Sequence, residues 1–81
     1  VFGSMTCGPC RQFKDDYANH AQLRQVLEAA FAVEFVDVDK QTDLASRFGV
    51  TEVPTFLVPG GARVTGYEGP DQLLAALGLR E

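Results

Sequence analysis

Apolar residues at helical spacing follow a short apolar segment at the start of the chain. Residues 1–4 have the character of the end of a β-strand. Pro9 suits the first turn of a helix, where its missing amide N–H costs nothing. Phe13 and Tyr17 lie four residues apart and therefore fall on one helix face. This pattern predicts a first helix from about Gly8 to Ala18.

A second stretch of helical spacing begins after a polar segment. Asn19 is followed three residues later by Gln22, which is the spacing of a helix-capping box. The apolar residues after it occupy positions i, i+3, i+4 and i+7 of one helix face, namely Leu23, Val26, Leu27 and Ala30. We therefore predict a second helix, or a kinked continuation of the first, that has Asn19 as its N-cap and ends at about Phe31.

The pattern then changes to that of a strand and a short helix. Val33–Val38 places apolar side chains on both faces, as expected for a strand that is buried on both sides. Thr42 has the side chain of a helix N-cap, and Gly49 takes the position that glycine favours just after a helix ends. The segment between them carries Leu44 and Phe48 and is predicted to be helical.

The last third of the chain has the pattern of a β-hairpin followed by a helix. Phe56–Val58 and Val64–Tyr67 are strand-like, and Pro59-Gly60-Gly61 between them predicts a turn. Residues 69–78 begin with Gly-Pro, end in glycine and place three leucines on one face. The predicted order is βαβαββα, an arrangement of the α/β class with a four-stranded mixed sheet flanked by helices. The first two strands should be parallel and the hairpin antiparallel.

Length and composition limit what such a fold can contain. Eighty-one residues are expected to form a single domain spanning 1–81, and 46% apolar residues supply one modest core. Eleven acidic and seven basic residues give a formal charge of −4, which argues against a nucleic-acid partner. No apolar run is long enough for membrane insertion, and no signal-peptide pattern opens the chain. Because the first residue is Val1, we expect a chain that was processed or cut from something longer; a bacterial cytoplasmic or periplasmic location stays open.

The segment Cys7-Gly8-Pro9-Cys10 carries the clearest chemical signal. Two cysteines separated by two residues close a loop that is too small to staple distant parts of the chain. A zinc site would need two further ligands, and His20 is the only histidine. Thiol redox chemistry is therefore favoured over a structural disulfide, a zinc site or an incidental pair of buried cysteines.

The position of Cys7 at a predicted strand-to-helix junction assigns the two thiols different roles. Its sulfur is expected to face the free N–H groups of the first helical turn, which stabilise a nearby anion. Cys7 is therefore predicted to attack disulfides, and Cys10, one turn further along, to resolve the mixed disulfide that forms. Gly8 leaves room for a docking chain, and Pro9 stiffens the turn.

Several landmarks together resemble the thioredoxin family, and the resemblance implies a thioredoxin-like fold for the predicted α/β order. Cys-Gly-Pro-Cys opens a helix, a Val-Asp-Val-Asp strand follows, and Phe48-Gly49-Val50 and Val53-Pro54-Thr55 come next in the family's order. The resemblance implies that the bond before Pro54 is cis, although most X–Pro bonds are trans. It also implies that Pro54 faces the cysteines and that the Val53 backbone pairs with a substrate strand. The implied substrate-binding residues are Gly8, Pro9, Val53, Pro54 and Thr55.

The chain also departs from the thioredoxin pattern. The strand and helix that usually precede the active-site strand are missing, and Thr6 stands where the family has Trp. Val1 and Phe35 occupy the positions of the family's buried Asp and its Lys partner, so the source of the base for Cys10 stays open. The segment 66–70 and the split helix resemble the thioredoxin-related domains of bacterial periplasmic disulfide-interchange proteins.

The other polar residues give no sign of a cofactor. His20 is interpreted as a solvated side chain, and Glu52 either lies near the docking surface or is a solvated loop carboxylate. No acidic residues have a recognised metal-binding spacing, and no glycine-rich phosphate cradle is present. We expect no cofactor and no bound metal.

The leading hypothesis is a monomeric thiol–disulfide oxidoreductase, a protein-disulfide reductase with protein disulfides as substrates and a thiol-reducing donor as second partner. One alternative keeps the dithiol as an electron relay or oxidant within a larger periplasmic disulfide-interchange or cytochrome-maturation system. Another is a non-enzymatic dimer that holds an iron–sulfur cluster through Cys7, which visible absorbance of the purified protein would reveal. A reduction potential of about −270 mV would indicate a reductase, and a potential of about −120 mV would indicate an oxidant.

Overall fold

The computed structural model describes residues 1–79 and has the element order predicted from the sequence. The first half contains strand β1, two consecutive helices and strand β2. A short helix, an antiparallel hairpin and a last helix complete the chain. The elements are β1 (Phe2–Gly3), α1 (Gly8–Asn19), α2 (Ala21–Ala30), β2 (Val36–Asp37), α3 (Thr42–Arg47), β3 (Thr55–Leu57), β4 (Arg63–Thr65) and α4 (Pro70–Ala76).

The four strands form one mixed sheet in the order β2-β1-β3-β4. β1 pairs in parallel with β2, with Phe2 opposite Val36, because the long α1–α2 crossover returns the chain in the same direction. On its other side β1 pairs antiparallel with β3, and β3 pairs antiparallel with β4 across the hairpin. The prediction of a mixed four-stranded sheet flanked by helices is confirmed.

The strand predicted over Val33–Val38 is much shorter in the structure. Only Val36–Asp37 is strand, flanked by hydrogen bonds from Val36 N to the Val1 carbonyl and from Val38 N to the Gly3 carbonyl. A strand extends only as far as its neighbour offers partners, and β1 has two residues. The prediction that both faces are buried is wrong at Phe35, whose side chain is 41% exposed.

Two predicted helix caps are placed differently. Asn19 is the last residue of α1, where its side-chain amide donates to the Asp15 carbonyl, and it does not cap α2. His20 is the N-cap of α2: its Nδ1 accepts the Leu23 N–H at 3.1 Å. Thr42 is the first residue of α3 and follows the N-cap position, which Gln41 occupies without a side-chain hydrogen bond.

The core lies between the sheet and helices α1, α2 and α4. Phe13 is at its centre, with ring centroids 4.8 Å from Phe56 and 5.3 Å from Tyr67 in edge-to-face geometry. The buried apolar cluster comprises Phe13, Leu23, Leu27, Phe56, Tyr67, Leu73 and Leu74. Within residues 1–79, none of the helices has the length and apolar character needed to cross a membrane.

Candidate active site

Cys7 is the N-cap residue of α1, at the point where the loop after β1 becomes helical. Its backbone is extended, its amide N–H donates to the Ser4 carbonyl at 3.2 Å, and its carbonyl accepts the Arg11 N–H at 3.1 Å. Its Sγ accepts the Cys10 amide N–H at 3.3 Å and is half-buried. The sulfur therefore occupies the place of an N-cap oxygen and faces the positive end of the helix.

Cys10 lies one turn further along α1 and is buried, with 5% of its surface exposed. Its Sγ packs against the backbone of Gly3, where an added methyl group would approach to 3.5 Å. Burial, together with a hydrogen bond to Cys7, raises the pKa of the Cys10 thiol to about 11. Cys10 is therefore a protonated thiol at neutral pH. Both cysteines are free.

The loop before β3 meets the two cysteines from the other side. The Val53–Pro54 peptide bond is cis, in agreement with the family resemblance, and Pro54 is fully buried. The Cys7 thiol makes a weak contact with the Val53 carbonyl, at 3.6 Å between sulfur and oxygen. The amide N–H of Val53 donates to no other residue within 1–79. Thr55 is also buried, and its hydroxyl donates to the Glu52 carbonyl at 2.6 Å.

The other residues that the sequence singled out lie in the first turn of α1, in the loop before β3 and at the start of α2. Gly8 and Pro9 are exposed in the first turn of α1, and a methyl group on Gly8 would meet no atom within 4 Å. Glu52 is exposed beside the cis-proline loop. His20 is exposed at the start of α2, outside the group of residues around the cysteines, but its ring has the capping role described above.

A polar network beside Cys7 was not predicted from the sequence. The Ser4 hydroxyl donates to the Asp39 carboxylate at 2.6 Å and lies 3.0 Å from the Thr6 hydroxyl. The Thr6 backbone N–H also donates to the Ser4 oxygen. Ser4 follows β1 and Asp39 follows β2, so the parallel pairing brings them together at one edge of the sheet. The sequence could have indicated this contact, because Ser4 and Asp39 are both polar and each follows one of two strands that were predicted to be parallel.

The two positions that hold a buried Asp–Lys pair in the family are apolar here and border a cavity behind Cys10. Val1 is half-buried, and the exposed Phe35 ring packs on Phe13 and Tyr17, with centroid separations of 6.0 and 5.3 Å. The Lys14 ammonium lies 5.6 Å from the Phe35 ring centroid. In the described part of the chain, no three His, Cys, Asp or Glu side chains are grouped so that they could hold a metal ion.

The amino-acid sequence is similar to known proteins over most of its length. A family model for a thioredoxin-like domain matches residues 1–80. A thioredoxin from Mycoplasma pneumoniae is 37% identical over 57 residues, which are 70% of this chain and 52% of that protein. A putative thioredoxin 2 from Streptomyces coelicolor is 33% identical over 57 residues, or 70% of this chain and 40% of that protein. Protein disulfide-isomerase A4 from Mus musculus is 33% identical over 64 residues, or 79% of this chain and 10% of that protein. The chain thus spans about half of the first protein's length and less of the other two.

Proposed function

Because the chain belongs to the thioredoxin-like domain family, we propose that it is a thiol–disulfide oxidoreductase that reduces disulfides in other proteins. The observation that carries this proposal is the placement of Cys7. Its sulfur caps α1 and accepts an N–H bond from the helix, while Cys10 lies buried one turn away. An anionic sulfur at a helix N-terminus is stabilised and reactive toward disulfides.

The first step forms a mixed disulfide with the substrate. The Cys7 thiolate attacks one sulfur of the substrate disulfide, a Cys7–substrate S–S bond forms, and the second substrate sulfur leaves as a thiolate. This sulfur is the accessible one of the pair, since Cys7 is half-buried and Cys10 is 5% exposed. The substrate therefore becomes attached at Cys7.

The second step releases the substrate. Cys10 loses its proton and attacks Cys7, so that the Cys7–Cys10 disulfide forms and the substrate sulfur leaves carrying the electron pair. A thiol-reducing donor then returns both cysteines to the thiol form. Over the whole cycle, two electrons and two protons pass from the donor to the substrate disulfide.

The substrate chain is proposed to dock along the cis-proline loop. The Val53 amide N–H has no acceptor among residues 1–79, and the Val53 carbonyl makes only a weak contact with the Cys7 thiol. An extended substrate segment beside Cys7 could pair with both groups, as a strand pairs with a sheet edge. Pro54 and Thr55, both buried, hold this loop against the sheet, and the exposed Gly8 and Pro9 border the docking surface on the helix side.

Trapping of substrate tests the order of the two steps. Cys10→Ser removes the resolving thiol, so mixed disulfides with a protein substrate should accumulate at Cys7 and disappear on addition of dithiothreitol. Cys7→Ser leaves the buried Cys10 alone and should trap little substrate. Non-reducing electrophoresis and peptide mass spectrometry measure both outcomes. Equal trapping by the two variants, or none by either, would contradict the proposal.

The reduction potential of the Cys7–Cys10 pair tests the direction of electron flow. For a reductase, equilibration with glutathione buffers should give a reduction potential of about −270 mV, whereas a potential of about −120 mV indicates an oxidant. Visible absorbance of the protein as purified should be absent; absorbance from an iron–sulfur cluster would point to the non-enzymatic alternative. A single sedimenting species of monomer mass is expected for the domain.

A further inference from the structure

A cavity of about 90 Å³ lies directly behind the resolving cysteine. Its inner wall is formed by Cys10, Phe13 and Pro54, which are buried, whereas Met5, Lys14 and Phe35 on its outer wall are exposed. It therefore connects the Cys10 side chain with the protein surface. A buried water molecule needs roughly 10–15 Å³ of cavity volume, so this cavity has room for several water molecules.

Two charged side chains line this cavity, one from α1 and one from β2. Lys14 projects from the helix beside the Phe35 ring, and Asp37 belongs to the strand that pairs with β1. One carboxylate oxygen of Asp37 accepts the Asp39 backbone N–H at 2.9 Å, which fixes the carboxylate. Gly3, opposite Asp37 in the parallel ladder, is the residue against which Cys10 packs.

We propose that this cavity is the exit route for the Cys10 proton and that the Asp37 carboxylate accepts the proton through water in it, with Lys14 stabilising the thiolate that remains. The inference rests on the proposed function, because a proton must leave Cys10 only if Cys10 resolves a mixed disulfide. It assigns the base to a residue of β2, whereas the position of the family's buried carboxylate holds Val1.

The step balances with groups present in the protein. The Cys10 S–H bond breaks, its proton passes to a water molecule, and a proton of that water passes to Asp37. The Cys10 sulfur then bonds to the Cys7 sulfur, and the bond between Cys7 and the substrate sulfur breaks. The electron pair of that bond leaves with the substrate thiolate, and Asp37 returns its proton to solvent.

The charged groups around the cavity favour Asp37 over the other carboxylates. Of the residues that line it within 1–79, Cys10, Lys14, Asp37 and the amino group of Val1 carry ionisable groups, and the loop before β3 contributes only Pro54. The Val1 amino group donates to the Glu34 carbonyl. Asp39 bonds to Ser4, which lines the cavity, but Asp39 itself does not line it, and Glu34 borders other cavities of the molecule.

The test separates attack from resolution with one small disulfide, 5,5′-dithiobis(2-nitrobenzoate). With reduced protein in excess, stopped-flow absorbance at 412 nm should show two releases of thionitrobenzoate, the first from attack by Cys7 and the second from attack by Cys10. The second rate should not depend on protein concentration, because resolution is intramolecular. If the wild type shows no second release, the proposed function itself fails.

Asp37→Asn keeps the side-chain oxygen that accepts the Asp39 N–H but cannot take a proton. We expect it to slow the second release at pH 7 by about a hundredfold, the lower limit of what a general base typically contributes. The loss should disappear near pH 10, where hydroxide replaces the base, and Asp37→Glu should restore most of the rate. Glu34→Gln, the matched control on the neighbouring segment, should behave as the wild type.

Lys14→Met is the second variant, and it keeps an apolar stem against the Phe35 ring. It should also slow the second release at pH 7, whereas the same change at the exposed Arg11 should have a smaller effect. The proposal is overturned if Asp37→Asn and Lys14→Met both resolve at the wild-type rate. It is also overturned if Asp37→Asn is equally slow at pH 7 and pH 10 and Asp37→Glu does not rescue it, since that pattern indicates a structural role.

Discussion

The difference between the two thiols is one of burial and hydrogen bonding over a single helical turn. Cys7 is half-buried at the helix start, whereas Cys10 is 5% exposed and burial raises its pKa to about 11. Because the thiolate is the reacting form, iodoacetamide should label Cys7 much faster than Cys10 at pH 7. Labelling of Cys10 should increase as the pH approaches 11. Peptide mass spectrometry after timed quenching measures both rates.

Unfolding the reduced protein in guanidinium chloride provides the control for this comparison. Without burial or a helix N-terminus, the two thiols should react at similar rates. If Cys10 reacts faster than Cys7 in the folded protein, the assignment of attacking and resolving thiol is wrong.

The sequence predicted those site residues whose relative positions depend on local geometry. Cys7 and Cys10 are three positions apart on one helix, so their relation follows from the helix itself. The proximity of Asp37 to Gly3 and Cys10, and of Asp39 to Ser4, depends on the register of two parallel strands that are far apart in sequence. A two-residue strand carries too little pattern to fix that register, so these contacts emerged only from the structure.

The His20 side chain caps α2 at the junction between α1 and α2. The Nδ1 atom of His20 accepts the Leu23 N–H, and its own backbone N–H donates to the Asp16 carbonyl at the end of α1. His20→Ala should therefore lower the free energy of unfolding by about 1 kcal/mol, as expected when an N-cap acceptor is removed. His20→Asp supplies an acceptor again and should recover most of the loss. Urea denaturation measures the three stabilities.

Gln22 is the matched control for this prediction. It occupies the capping-box position that the sequence suggested, and it is exposed. Gln22→Ala should change the free energy of unfolding by less than about 0.5 kcal/mol, as is usual for surface sites. A larger loss of unfolding free energy in Gln22→Ala than in His20→Ala would instead support the capping box predicted from Asn19. Sequence alone favoured Asn19 because Asn is a more common N-cap than His, and one extra residue at the end of α1 moved the boundary by one position.

The edge strands β2 and β4 are shorter than their apolar patterns because pairing, and not apolar character, sets where a strand ends. Val33–Phe35 has the alternation of a strand, but β1 offers partners only beside Val36 and Asp37. The hairpin shows the same effect: β4 ends at Thr65, and Gly66, with φ of +89°, donates its N–H to the Pro54 carbonyl. Element type was therefore predictable from the pattern, and the extent of each strand was not.

At the scale of the whole molecule, a partly buried hydrogen bond joins the last third of the chain to α1. The Tyr67 hydroxyl, in the segment between β4 and α4, donates to the Asp16 carboxylate on α1. Tyr67 is 7% exposed and packs against Phe13. Tyr67→Phe keeps the ring and removes only the hydroxyl, so it should lower the free energy of unfolding by about 1.5–3 kcal/mol, the range for hydrogen bonds to charged groups.

Tyr17→Phe is the matched control, because it removes a similar bond near the surface. The Tyr17 hydroxyl donates to Glu28 at 2.6 Å, and Glu28 is exposed. Competition from water should limit the loss to less than about 1 kcal/mol. If Tyr17→Phe destabilises the protein as much as Tyr67→Phe, burial is not the cause of the difference.

The hydrogen bond from Tyr67 to Asp16 also predicts how the stabilisation by the Tyr67 hydroxyl depends on pH. Burial and the Asp16 carboxylate raise the pKa of Tyr67 well above its usual value, so the folded protein holds the phenol neutral. This contribution is complete below the unfolded pKa of about 10 and is lost as the pH rises above it, by about 1.4 kcal/mol per pH unit. The stability difference between the wild type and Tyr67→Phe should therefore be constant from pH 7 to 9 and shrink by pH 11. Cys10 titrates in the same range in both proteins, so its effect cancels in the difference. Urea unfolding curves at each pH measure the stability difference between the two proteins. If this difference stays constant to pH 11, the Tyr67 hydroxyl ionises in the folded protein as readily as in the unfolded chain, and the prediction is wrong.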